Sequence, residues 1–200
     1  MTNEPVLLDA CHLKPAAVIL GKAFKHDPLM QYFVPDEIRR ARILPALFEM
    51  TVRYCLRYGE VYTTAAVEGV ACWLTPGNTT FRIGRMLRCG ITLSPFDFGL
   101  EGLRRFIRIS NFTEALHKSC IAGSHWYLWA IGVDPRSHGR GIGGGLLQPV
   151  LAKAAAERLP CYLETQNERN VSFYQKHGFE IARAERIPGT DLHVWAMLRH

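Results

Sequence analysis

Residues 131–147 read IGVDPRSHGRGIGGGLL. An apolar, strand-like run stops at Val133, breaks into a basic, glycine-rich turn and resumes as a helical pattern carrying Leu146, Leu147, Val150 and Leu151. Glycines at 139, 141, 143, 144 and 145 accept positive φ and leave the backbone uncovered, so its N–H groups can come close to a ligand. At a helix start those groups also stand at the positive end of the helix dipole. The stretch describes a cradle for an anion, and a pyrophosphate suits its shape.

Two better-known phosphate loops do not fit. The run lacks the Lys-Ser or Lys-Thr that ends a nucleotide-triphosphate loop. Gly139, Gly141 and Gly144 satisfy G-x-G-x-x-G in letter, but a dinucleotide fold places that motif near the start of repeated βαβ units. Here it begins about two thirds along the chain, and one further strand-helix unit follows. What does fit is Arg136-x-x-Gly139-x-Gly141 between a strand and a helix. Downstream, Pro160 precedes a short apolar strand over 161–165, and then NERNVSFYQKHGF occupies 167–179. Asn167 is followed seven positions later by Tyr174, and Gly178 stands where a helix C-cap belongs.

The loop and the Asn167-to-Phe179 pattern together resemble the GCN5-related N-acetyltransferase (GNAT) family, whose glycine loop holds the pyrophosphate of acetyl-CoA. The resemblance covers 126–200 and extends to 60–77 as the family's central hairpin. LETQNERNVSFYQKHGF at 163–179, ACWLTPG at 71–77 and AFKHDP at 23–28 look most like the branch containing puromycin N-acetyltransferase. The implied fold is one α/β domain over 1–200, with a mixed, mainly antiparallel sheet flanked by helices. Its acetyl-CoA-binding core spans about 126–200, and an enlarged insertion over about 78–124 shapes the acceptor pocket.

The resemblance also assigns roles. Backbone amides of His138, Gly139, Arg140, Gly141, Ile142, Gly143 and Gly144 would bind the pyrophosphate, with Arg136 and Arg140 either as charge partners or as solvated side chains. Gly132 and Val133 would bond the pantetheine arm where two strands splay, and an N–H near Ile131 would face the thioester oxygen. Tyr174 takes the place of the general acid; the alternative is a packing aromatic like Phe173. Asn167 and Asn170 either cap the helix or touch the cofactor. Glu164 stands where some relatives pass the amine proton to a Glu through water, or it is a structural carboxylate; burying it uncompensated is costly. Asp27, Asp97, Glu101 and His125 are further candidates for amine recognition, against simple surface placement.

The implied activity is acetyl transfer from acetyl-CoA to the amine of a small molecule by direct attack. A protein or peptide N-terminal acceptor is the alternative within the class, and a non-catalytic acyl-CoA-binding module is the alternative outside it.

Composition is that of an ordinary globular chain: 200 residues, 48% hydrophobic and 21% charged. Its 24 Lys and Arg against 18 Asp and Glu leave +6, which suits a ligand with several phosphates as well as it suits nucleic acid. The aromatic and basic residues mixed over 81–88 and 103–109 read as amphipathic helices with a solvated basic face, so nucleic acid is not an expected partner. The six cysteines form no C-x-x-C pair and no metal spacing with the eight histidines, so no metal is expected and they read as free thiols. MTNEPVLLDA lacks the regions of a signal peptide, and no run approaches a membrane span, which makes the cytoplasm the expected location. The remaining elements are a strand at 6–8, a helix opened by Pro15, a long helix from Asp36 to Gly59 bent at Pro45, a hairpin turning at Glu68-Gly69, short helices separated by Gly90, Ser94-Pro95 and Gly99, and a last strand over 191–198. Pro149 lies in the first turn of its helix if that begins near Gly145, and kinks it if it begins at Gly141.

Overall fold

The computed structural model describes residues 4–80, 83–89 and 95–200, and the breaks expected at Gly90 and Ser94 lie outside them. In chain order the elements are β1 (Pro5–Leu7), α1 (Leu13–Ala23), α2 (Pro28–Phe33), α3 (Glu37–Tyr58), β2 (Gly59–Thr64), β3 (Gly69–Leu74), α4 (Ile83–Arg88), α5 (Pro95–Cys120), β4 (Trp126–Val133), α6 (Ile142–Glu157), β5 (Cys161–Thr165), α7 (Arg169–Gln175), β6 (Glu180–Arg186) and β7 (His193–Arg199). Among the described residues seven strands form one sheet in the order β1-β2-β3-β4-β5-β7-β6. Every neighbouring pair is antiparallel except β4 with β5.

Alternation along the central strands divides the core into two layers. Val70, Cys72 and Leu74 of β3, with Tyr127 of β4 and Tyr162 of β5, pack against α1, α2, α3 and α5. Ala71 and Trp73, with Trp126, Leu128, Cys161 and Leu163, pack against α6 and α7. β3 is therefore buried on both faces, as a central strand must be.

Local chemistry sets the helix ends. Asp27 caps α2, its Oδ1 accepting the N–H of Leu29 at 2.9 Å and of Met30 at 3.3 Å, and Pro28 takes the first helical position, where no N–H is needed. Asp36 caps α3 through the N–H of Arg39 at 2.6 Å. α6 begins at Ile142, so Pro149 lies in its interior and removes one backbone donor.

Two expectations change, and one strand is new. The hairpin turns at 65–67, where Val67 takes φ 52°, and Gly69 belongs to β3. A Cβ at Gly69 would lie 2.9 Å from both Ile142 and Leu146, so this glycine admits α6 rather than a turn. The segment expected as short helices contains α5, which is broken at Gly99 (φ 72°, ψ 161°) and then runs unbroken to Cys120 with Phe106, Ile109, Phe112 and Leu116 toward the core. Finally, β6 has no counterpart in the sequence reading, because EIARAER lies on the outer edge with nearly every residue exposed and so carries no buried face to mark it.

Candidate active site

β4 and β5 pair only from Trp126 to Leu128 with Cys161 to Leu163. Beyond that point β4 continues beside β3 to Val133, while Glu164 and Thr165 pair with β7, so the two parallel strands diverge. The Asp134 N–H donates to Glu68 O at 2.8 Å, which sets the phase of the β3–β4 ladder. By alternation the N–H and C=O of Ile131 and Val133 face the opening instead. A register shift opposite Cys72 and Trp73 adds a bulge at Trp129. Above the opening, α1 crosses β4 at Gly132, where a Cβ would lie 2.7 Å from that of Ala23. Phe24, which ends α1, lies 3.5 Å from the same position, so the end of this helix packs on the unpaired part of β4.

At the far end of β4 the glycine loop begins. Gly139 and Gly141 take φ of 77° and 76°, and a Cβ at either would meet nothing within 4 Å. Open space therefore lies in front of this backbone, and only glycine holds both positions without strain. Gly141 carries no capping side chain; the first helical bond runs from Gly145 N to Gly141 O, which leaves the N–H groups of Ile142, Gly143 and Gly144 ahead of it. Gly143 and Gly144 serve packing as well: added Cβ atoms would lie 3.4 Å from the Phe173 ring and 2.8 Å from that of His177.

The loop is braced by carboxylates that the sequence did not single out. Buried Asp134 accepts from the Arg136 N–H at 3.0 Å, from its guanidinium at 3.0 and 2.8 Å, and from Lys22 at 3.4 Å. Arg136 holds that carboxyl well below the usual carboxylate range. Glu68 accepts from Ser137 Oγ at 2.9 Å and from Arg140, tying the β2–β3 hairpin to the loop. His138 sets Nε2 3.1 Å from Val133 O. Arg136 and Arg140 thus each have an acidic partner, while the Arg136 side chain remains 80% exposed.

Two kinds of titratable side chain lie on opposite faces of the sheet near the opening. Tyr174, on α7, is buried in the α6–α7 layer against Phe173 and Phe179, and among the described residues its hydroxyl has no hydrogen-bond partner. Burial raises its pKa, and the charge of Asp27 adds to the rise. α7 is closed by Gly178 (φ 83°) and by the bond from Phe179 N to Tyr174 O at 3.2 Å, which fixes the tyrosine's place. On the other face, Glu164 accepts from the Tyr162 hydroxyl at 2.7 Å and the Tyr127 hydroxyl at 3.4 Å. Burial pushes its pKa up to about 7, against these two donors. Asp27 is also pushed up, to about 6, by burial.

The other candidates separate. Asn167 Oδ1 accepts the Arg169 N–H at 3.2 Å at the start of α7, and Asn170 reaches Thr165 Oγ1 at 3.5 Å. His125 is buried, with Nε2 2.8 Å from His117 Nε2. Glu101 pairs with Arg105 at 3.2 Å on the surface of α5. The side chain of Asp97 lies outside the described residues.

An uncovered glycine backbone at a helix start, continued by unpaired strand edges at Val133 and Ile131, fits a ligand with a diphosphate at one end and an amide-bearing arm at the other. Acetyl-CoA has that chemistry. A parallel strand pair opening toward such a helix is the mark of the acetyltransferase fold, and comparison with known proteins agrees. Residues 101–179 match the Acetyltransferase (GNAT) family. An uncharacterised N-acetyltransferase of Schizosaccharomyces pombe is 29% identical over 178 residues, covering 86% of this chain and 72% of that protein.

The fold is shared with a crystal structure described as histone acetyltransferase HPA2 and related acetyltransferase from Corynebacterium glutamicum. The TM-score is 0.68 at 22% identity, over 98% of this chain and 94% of that one. Arylalkylamine N-acetyltransferase 2 from Aedes aegypti superposes at a TM-score of 0.66 with 14% identity, over 98% and 97%. This protein is an acyltransferase with the GNAT fold.

Proposed function

We propose that this protein transfers the acetyl group of acetyl-CoA directly to the amine of a small molecule. The observation that carries the reading is the uncovered glycine backbone that follows β4 where it parts from β5, with Glu164 on β5 just past the parting and Tyr174 buried in the α6–α7 layer. The N–H groups from Gly139 to Gly144 would hold the diphosphate, Val133 the pantetheine arm, and the Ile131 N–H the thioester oxygen; Gly132, expected beside Val133, spends its N–H and C=O on β3, and the His138 N–H is spent on Pro135 O. The amine nitrogen attacks the thioester carbon; the C–N bond forms and the C–S bond breaks. Glu164 takes the amine proton through water, and Tyr174 gives its phenolic proton to the departing thiolate. Return of the Glu164 proton to the tyrosinate through solvent closes the cycle.

Asp27 supports a second assignment of the base. Its charge acts on Tyr174, and it follows closely on the end of α1 that packs over Gly132. A small acceptor is favoured because α5 covers the face from which Glu164 is reached, and because one fold neighbour is named for arylalkylamines. The resemblance of residues 163–179 to the puromycin N-acetyltransferase branch supports the same class. The domain reading is part of the proposal: one catalytic unit, with the segment around α4 and α5 shaping the acceptor side.

Coenzyme A release, measured over a panel of arylalkylamines, aminonucleosides, polyamines and peptides with free N-termini, tests the acceptor. Turnover with small amines and none with peptides supports the proposal, and the reverse assigns a protein acceptor.

A further inference from the structure

Glu164 does not stand alone in its layer. The two residues that donate to it, Tyr162 two positions before it on β5 and Tyr127 on β4, present their hydroxyls to different oxygens: Tyr162 to Oε1 at 2.7 Å and Tyr127 to Oε2 at 3.4 Å. Both rings are buried, and they pack against each other with centroids 5.5 Å apart. Behind Tyr162 lies a histidine pair. The His117 ring stacks on the Tyr162 ring at 4.2 Å and 5°, and its Nε2 lies 2.8 Å from Nε2 of His125.

The tautomers follow from the remaining contact. His125 Nδ1 lies 2.8 Å from the Gly123 carbonyl, which only accepts, so Nδ1 carries the proton. Its Nε2 is then the acceptor for the His117 Nε2–H. The Tyr162 ring is thus stacked on a histidine of α5 that is itself fixed by His125.

We propose that Tyr162 and Tyr127 form a two-armed clamp that positions Glu164 and favours its charged form against the effect of burial, with the His117–His125 pair locking the shorter arm. This rests on Glu164 being the base in the proposed reaction. A phenol whose own proton is held by burial can only stabilise the charged carboxyl by donating to it, and burial pushes the pKa of both tyrosines up. The groups facing Glu164 are Tyr162 on its own strand, Tyr127 on β4 and, on α5, Glu114 through its charge and the Cys120 thiol, whose pKa burial pushes up. Glu114 opposes the clamp, and its own partner is Lys118 at 3.0 Å. Without the clamp, burial and Glu114 would both favour the protonated form, which cannot accept a proton from an amine.

Tyr162→Phe and Tyr127→Phe each delete one hydroxyl and keep the ring. In the full-length protein, the Glu164 carboxyl is titrated by carbon-13 NMR after glutamate labelling, assigned by its loss in Glu164→Gln. The acid limb of kcat/KM is measured in parallel on an amine that the panel identifies. Tyr62→Phe is the control, since Tyr62 donates to Glu60 at 2.8 Å outside the site. The Glu164 titration should move up by about one pH unit or more in Tyr162→Phe, less in Tyr127→Phe, and not at all in Tyr62→Phe. An unmoved titration in both variants overturns the clamp. The rate profile separates the two readings. If its acid limb follows the titration, Glu164 is the base and the clamp tunes it. If the titration moves while the limb stays with the wild type, the clamp stands and the base is not Glu164.

Discussion

Glu164→Gln should make the protein more stable, and increasingly so as pH rises. The carboxyl's pKa is 4.5 in an open chain and about 7 in the fold, raised mainly by burial. A raised carboxyl pKa means that the folded state holds the proton more tightly than the unfolded state. Its contribution is therefore intact below about pH 4.5, is lost as pH climbs from there to about 7, and is constant above that. At about 1.4 kcal/mol per pKa unit, the full loss is roughly 3 kcal/mol, or about 2–3 kcal/mol once partial exposure is allowed for.

The glutamine has no charge to bury at any pH and keeps an oxygen for Tyr162. Asp27, pushed up to about 6, and His117, held down to about 4 by burial, make stability depend on pH in both proteins alike and so cancel in the difference. The difference between the two stability curves should thus be small near pH 4.5, widen through pH 7 and then level off. For a chain of this size that corresponds to about 5–10 °C in Tm at pH 8. Urea unfolding of both proteins across pH 4.5–8.5 measures it. Parallel curves over the whole range would refute the reasoning, because Glu164 would then titrate in the fold as it does in the open chain.

Gly141→Val should weaken acetyl-CoA binding severely, by tenfold or more in calorimetry, because a β-branched residue is strained at φ 76° and fills the space before the loop; tight binding by a folded variant would put the diphosphate elsewhere. Tyr174→Phe keeps the ring against Phe173 and Phe179 but deletes the proton, so kcat should fall by about 10²-fold with acetyl-CoA affinity unchanged, and full activity would show that the thiolate leaves without this phenol. Asp27→Asn keeps an α2 cap; if Asp27 is the base, the acid limb of kcat/KM near pH 6 should vanish in this variant, and if Glu164 is, the limb should persist near pH 7.

What the sequence disclosed depended on residue types that admit few conformations. Gly139 and Gly141 mark the loop because positive φ all but requires glycine, and Gly178 marks the end of α7 and so the place of Tyr174. The central strands were legible from large apolar residues buried on both faces. The supports of the site were not, because they join positions without periodic spacing. Glu68 reaches Arg140 across 72 residues, and Tyr127 reaches Glu164 across 37. The sequence offers His125 as a candidate for amine recognition or as a surface residue, yet His117, eight residues earlier, pairs with it in the interior. In α5 the amphipathic helix is legible over 103–109, whereas its continuation through Phe112 and Leu116 to Cys120 is not, because Ser110, Asn111, Thr113 and Glu114 thin out the apolar pattern.

The central claim is direct acetyl transfer from acetyl-CoA to an amine. It is tested most directly by a single turnover with acetyl-CoA labelled in the acetyl group, protein in excess, and the best small amine from the panel, followed by mass spectrometry of intact protein and products. The label should pass to the amine nitrogen as coenzyme A is released, with none on the protein at any time. Label bound to the protein during turnover would contradict direct attack, and label that stays on coenzyme A with every amine and peptide, despite tight acetyl-CoA binding, would contradict the enzyme itself.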